Sequence, residues 1–121
     1  MFGMFKSHLP KDWQHLKGSE ILEQIDKDSY SKTQAIFKHS TRCGISQHVL
    51  DNTISDWTID SDKLTFYLLD LLAYRPISNE ISQHWNIPHQ SPQLILIRNG
   101  KAIYHASHHS IQVAEIAKKI G

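Results

Sequence analysis

Apolar residues fall along this chain in short bursts, and the spacing within each burst predicts an element. Trp13 and Leu16 predict a short edge strand near the start. After Ser19, a residue suited to cap a helix, Ile21, Leu22 and Ile25 recur at helical spacing and predict a helix ending near Asp28 to Ser31. Ala35-Ile36-Phe37 predicts a buried strand that opens into the polar stretch Lys38 to Arg42. Gly44 to about Trp57 reads as a helix, with Ile45, Val49, Leu50, Thr53 and Ile54 near one face. Leu64 to Tyr74 is nearly continuously apolar, as a central strand covered on both faces is. Pro76 suits the first position of the next helix, whose apolar face is Ile77, Ile81 and Trp85. Pro88 and Pro92 frame a loop before another buried strand, Leu94 to Ile97. Asn99-Gly100 signals a hairpin, because both residues accept positive φ, and Lys101 to Ala106 returns as the partner strand. Ser107 or Ser110 is expected to cap a last helix in which Val113, Ile116, Ala117 and Ile120 repeat at helical spacing.

The order is (β)αβαβαββα. It predicts an α/β domain with a central mixed β-sheet and helices on both faces, which is the order of a thioredoxin-like fold. No repeat, low-complexity tract or linker divides the chain, so residues 1–121 are expected to form one domain, with 1–12 as a loosely ordered N-terminal segment.

Composition narrows the function. Hydrophobic residues make up 40% and charged residues 21%, which excludes a disordered chain. Thirteen basic residues face twelve acidic ones, so no strong field draws nucleic acid or an anionic membrane, and neither is expected as a partner. No apolar run approaches the roughly 20 residues of a membrane helix. Met1 to Pro10 lacks the apolar stretch of a signal peptide, and the expected location is cytoplasmic.

The chain has one cysteine, Cys43, which excludes an intramolecular disulfide and any four-cysteine metal site. Cys43 lies where a predicted strand ends and a predicted helix begins. Unpaired N–H groups of that first turn, with the helix dipole, stabilise thiolate over thiol. Arg42 and Lys38 add positive charge nearby. Ser46 can place its hydroxyl near the sulfur, so Cys43-Gly44-Ile45-Ser46 is a two-cysteine redox motif with the second thiol replaced. A mixed disulfide on Cys43 then has to be resolved by an external thiol. The alternative, an inert buried cysteine, fits poorly with the polar flank Lys38-His39-Ser40-Thr41-Arg42. Ser91-Pro92 stands just ahead of a predicted strand, where thioredoxin-like proteins hold a cis proline facing the redox cysteine. In that isomer the Ser91 backbone can hydrogen-bond an incoming chain as a strand would.

These stretches carry a resemblance. Ile36 to Ser46 is similar to the active-site stretch of YtxJ-like proteins, the monothiol bacilliredoxins. Leu69 to Arg75 followed by Ile77 to Ile81 resembles their central strand and next helix. His89-Gln90-Ser91-Pro92-Gln93 resembles their H-E-S-P-Q loop. Asn99-Gly100-Lys101 and Ala106-Ser107-His108 resemble their hairpin and the start of their last helix. The resemblance spans about residues 13–120. It implies a thioredoxin-like fold, bacillithiol as thiol co-substrate, and S-bacillithiolated proteins as partners. It implies Cys43 as nucleophile, Ser46 at the place of the lost thiol and Pro92 as the cis proline; substrate contacts are expected at Ser91, Pro92, His89 and His108. Two positions depart from the family: Gly44 stands where proline or serine is usual, and His89-Gln90 lacks the usual acidic residue.

Nine histidines ask for a reading of their own. His105, His108 and His109 cluster near one strand end, but a structural zinc site needs four ligands and Cys43 is the one thiolate available, so no metal is expected. His108 can contact a carboxylate of a bound thiol. His39, beside the active loop, can tune Cys43, although a surface histidine is the simpler reading. Asp70 is expected where its strand meets solvent, and Trp13, Trp57 and Trp85 as packing residues. Two other functions fit the same residues: an iron–sulfur carrier like the monothiol glutaredoxins with C-G-F-S, and a non-catalytic binding module. The expected state is a monomer or weak dimer acting on protein and low-molecular-weight thiols.

Overall fold

The structure, a computed structural model, describes residues 9–120; of the N-terminal stretch 1–12, residues 1–8 lie outside the described residues. Five strands form one mixed sheet: β1 (Gln14–His15), β2 (Thr33–His39), β3 (Leu64–Asp70), β4 (Gln93–Arg98) and β5 (Lys101–Ser107). Their spatial order is β1-β3-β2-β4-β5. The first three run parallel, β4 is antiparallel to β2, and β5 is antiparallel to β4. Four α-helices accompany them: α1 (Glu20–Asp28), α2 (Gly44–Ser55), α3 (Arg75–His84) and α4 (Val113–Ile120), with a 3₁₀ turn at His108–Ser110.

Side chains alternate between the two faces of each strand, and both faces are covered. On one, Phe37, Phe66, Leu68, Leu94 and Leu96 meet Val49 and Leu50 of α2 and Ile116 of α4. On the other, Ile36, Tyr67, Leu69, Ile95 and Ile97 meet Leu22 and Ile25 of α1 and Ile77 and Ile81 of α3. Trp13 closes the first layer. Its ring stacks on Phe66 at 3.7 Å between centroids and meets Trp57 edge-on at 5.0 Å.

Three expectations need correction. The centre of the sheet is β2, buried at all seven positions, and β3 lies beside it. The apolar run from Leu64 does not continue as a strand to Tyr74. It stops at Asp70, whose Oδ1 accepts the amides of Leu72 and Ala73 at 3.2 and 3.3 Å and turns the chain. Neither Ser107 nor Ser110 starts the last helix, because the 3₁₀ turn intervenes and α4 begins at Val113. Ser19 does hold the N-cap of α1, but its hydroxyl makes no cap bond and its backbone is already helical.

The hairpin forms as its residues predict, with Asn99 at φ 54° and Gly100 at φ 74°. A Cβ at Gly100 would come within 2.6 Å of the Tyr30 hydroxyl, so the position needs glycine twice over. The Asn99 amide donates to the Ser29 carbonyl and the Gly100 amide to the Ser29 hydroxyl, both at 2.9 Å. The hairpin lies at the end of the sheet opposite the C-terminal ends of β2 and β3. At those ends, as in open α/β sheets generally, the loops that can carry chemistry emerge.

Candidate functional site

β2 delivers the chain to the sole cysteine. After His39, a turn closes with the Cys43 amide donating to the Ser40 carbonyl at 3.1 Å. Cys43 is the N-cap of α2, with extended backbone (φ −105°, ψ 120°), and its carbonyl accepts the Gln47 amide at 3.1 Å. The amides of a first helical turn have no partner inside the helix and give that end partial positive charge. The cysteine is half-buried. Arg42 and Gly44 on either side are exposed. A Cβ at Gly44 would meet nothing within 4 Å.

Ser46 behaves differently from its reading as a hydroxyl beside the sulfur. It is fully buried, its Oγ lies 2.7 Å from His39 Nδ1, and it accepts the Ser40 amide at 3.0 Å. Among the described residues no hydrogen bond joins it to Cys43. The oxygen accepts the amide with one lone pair, and a hydroxyl hydrogen donated to Nδ1 goes with the tautomer that carries the ring proton on Nε2. Ser46 thus ties the end of β2 to the first turn of α2 and sets the span of the loop between them.

His39 is not a surface histidine. It is buried, with 5% of its surface exposed, because it follows the same inward alternation as Ala35 and Phe37. Burial lowers its pKa below the ordinary value, while Asp70, Asp51 and a hydrogen bond donated by the ring to Gln47 pull the other way. Asp70 sits opposite His39 in the β2–β3 register, half-buried at the strand end where the chain turns.

The second loop enters from β4. The Ser91–Pro92 peptide bond is cis. Gln93 is the register partner of Lys38, so Pro92 and the Ser40–Cys43 turn leave the sheet side by side from adjacent strands. Pro92 is buried, and its carbonyl accepts the His108 amide at 3.1 Å. Ser91 makes no backbone hydrogen bond among the described residues, and its buried hydroxyl also lacks a partner. His108 reaches this loop through its backbone. Its side chain is exposed, its φ is 54°, and it stands in the 3₁₀ turn rather than at the start of the last helix.

Lys38 was expected to add charge beside Cys43. Instead it has no exposed surface, and it faces the layer of α3, opposite the layer of α2. Its Nζ donates to the Ser78 carbonyl and the Ser82 hydroxyl, each at 3.1 Å, and lies 3.3 Å from His89 Nδ1. Burial lowers its pKa from 10.5 to about 8. His89, exposed at the start of the proline loop, also titrates below its ordinary value, through desolvation first and then the charges of Lys38 and Arg75.

Among the described residues no three His, Cys, Asp or Glu side chains are grouped so as to hold a metal ion, and no helix is long and apolar enough to cross a membrane.

Comparison with known proteins agrees with this geometry. A candidate oxidoreductase with a thioredoxin fold shares 25% identity with the chain and superimposes with a TM-score of 0.76, over 89% of this chain and 93% of that one. The thioredoxin of Malassezia sympodialis aligns at 21% identity over 88% of this chain and 86% of its own, with a TM-score of 0.66. A mutant thioredoxin from Halobacterium salinarum aligns at 13% identity over 93% and 90%, with a TM-score of 0.62. The fold is therefore the thioredoxin fold expected from the element order. The sequence model of the family described as monothiol bacilliredoxin BrxC matches residues 14–116, from β1 into α4. The chain belongs to the monothiol bacilliredoxin family, and its chemistry is thiol redox chemistry on a thioredoxin scaffold.

Proposed function

We propose that the protein is a YtxJ-like monothiol thiol–disulfide oxidoreductase that exchanges bacillithiol with protein cysteines, using Cys43 as its nucleophile. The observation that carries this reading is the placement of the only thiol. It is half-buried at the N-cap of α2, beside the Ser91–Pro92 loop, with a buried serine at the position a second thiol would need.

The Cys43 thiolate attacks the bacillithiol sulfur of an S-bacillithiolated protein. A disulfide forms between Cys43 and bacillithiol, the original disulfide breaks, and the protein cysteine leaves as a thiolate that takes a proton from water. Ser46 has no sulfur with which to resolve the adduct. A second, external thiolate therefore attacks the bacillithiol sulfur of the adduct, and Cys43 returns to its thiolate. Each step exchanges one disulfide for another, with no net change in Cys43. Reverse exchange loads Cys43 with bacillithiol from an oxidised pool.

The side chains have separate tasks in this scheme. Arg42, exposed next to the sulfur, attracts the carboxylates of an incoming thiol. Gly44 leaves the approach to Cys43 open. Ser46 and His39 hold the loop from beneath. The unpaired backbone of Ser91, ahead of Pro92, offers a short edge to the substrate's main chain. His89 and His108 flank that edge. The reaction needs a compartment where low-molecular-weight thiols are kept reduced, which supports a cytoplasmic location.

Intact mass measured after exposure to oxidised bacillithiol, and separately to oxidised glutathione, tests the reading. A single bacillithiol adduct on Cys43, with little or none from glutathione, is expected. Cys43→Ser should form no adduct and release no bacillithiol from a model substrate. Equal activity in that variant would end the reading.

A further inference from the structure

A lysine with no exposed surface and no carboxylate partner is rare, because burying an unpaired ammonium is costly. Among the described residues Lys38 is such a residue, and all its partners there are neutral: the Ser78 carbonyl, the Ser82 hydroxyl and His89 Nδ1. Two of these belong to α3, while the third opens the loop that ends in Ser91–Pro92. Gln93, the register partner of Lys38, is equally buried. Its Nε2 donates to the Pro88 carbonyl at 3.0 Å, and its Oε1 has no partner among the described residues. Two adjacent residues on adjacent strands thus hold the same loop, one at Pro88 and one at His89. From Lys38 the chain runs directly through His39 to the turn that carries Cys43.

We propose that Lys38 is a positioning residue for thiol exchange: its buried ammonium, seated on Ser78 and Ser82 of α3, grips His89 and so sets the Ser91–Pro92 edge against Cys43. The inference rests on the reading that Cys43 exchanges thiols with substrates bound along that edge. An apolar residue at position 38 would pack into the layer of Ile77 and Ile81, but it would leave His89 Nδ1 with the Ser78 hydroxyl alone, at 3.4 Å, and without the charged donor. The ammonium therefore serves loop placement rather than stability. The lowered pKa of His89 is consistent with this arrangement. Its neutral Nδ1 can accept from Lys38, whereas a protonated ring would face the ammonium with Arg75 as the other nearby cation.

The test uses the full chain with Lys38→Met, His89→Ala and the double variant, all checked for native circular dichroism. Two rates are compared. Alkylation of Cys43 by iodoacetamide reports the thiol alone. Exchange with a peptide mixed disulfide reports the thiol and the substrate edge together. Both single variants are expected to alkylate as the wild type does. Each should lose about tenfold in exchange, chiefly through KM, within the hundredfold that misplacing a bound group by about 1 Å can cause. The double variant should lose no more than either single one, as befits one shared contact. Lys38→Met exchanging at the wild-type rate, or additive losses in the double variant, would overturn the proposal. So would an equal slowing of alkylation and exchange. If the wild type neither forms an adduct nor exchanges, the functional reading fails instead. The grip itself is then judged by an NMR titration of the His89 ring, whose pKa should rise in Lys38→Met when the neighbouring ammonium is gone; an unchanged titration would refute it.

Discussion

The Ser46 hydroxyl lies 2.7 Å from Nδ1 of His39, and both side chains are buried beneath the turn that carries Cys43. A two-cysteine motif would spend this position on chemistry. Here it is part of the support: the oxygen also receives the Ser40 amide, so one hydroxyl closes the strand end, the turn and the first helical turn into a single unit.

Ser46→Ala should therefore reduce stability. It leaves the Ser40 amide and the imidazole nitrogen unpaired in a buried site, a loss of about 1–3 kcal/mol. Urea unfolding followed by tryptophan fluorescence checks this. A variant as stable as the wild type would mean that water replaces the hydroxyl without cost.

Stability should also fall on mild acidification. In the unfolded chain His39 titrates near 6.5, and in the fold it titrates lower. Between those two values the unfolded state binds the extra proton, so this group's contribution is complete above about pH 6.5 and is lost as pH falls through the depressed value. Asparagine keeps an acceptor near the place of Nδ1 and does not titrate. The urea midpoint of His39→Asn, followed from pH 7.5 to 5, should decline less steeply than that of the wild type. Parallel curves would remove His39 from the account.

Lys38→Met should stabilise the protein at pH 7, because it removes an ammonium buried without a counter-charge. The sign can be followed with pH. The lysine titrates at about 8 in the fold and near 10.5 unfolded, so across that window the unfolded wild type holds the extra proton and wild-type stability rises. The advantage of the methionine variant should shrink over the same window. A variant less stable than wild type at pH 7 would show that the three hydrogen bonds outweigh the buried charge.

Gly44→Ala should add about 0.5–1 kcal/mol, since the added Cβ meets nothing and alanine loses less backbone freedom at a helix start. The midpoint of thermal unfolding reads this directly. A decrease would point to a contact made by the glycine backbone that a side chain obstructs.

How much of this was legible depended on how local each feature is. Both faces of the sheet are covered, so strands such as Leu94–Ile97 announce themselves by unbroken apolarity, and the hairpin by two residues tolerant of positive φ. Cys43 at a strand-to-helix junction is equally local. Leu71 to Tyr74 misled because one carboxylate, Asp70, ends the strand where the letters remain apolar. His39 could have been read as buried by extending the alternation of Ala35 and Phe37 by one step. Lys38 could not, since its burial depends on Ser78, Ser82 and His89, which lie 40 to 51 positions away and arrive only when α3 covers β2.

The hairpin at Asn99–Gly100 has a practical consequence. It is pinned to Ser29 at the end of the sheet away from Cys43. Exposed Lys101 beside it offers an anchor for a fluorophore or a solid support. A molecule tethered there would present its sulfur outward, so its reactions with large protein disulfides could be followed on a surface without the attachment shielding the reacting end.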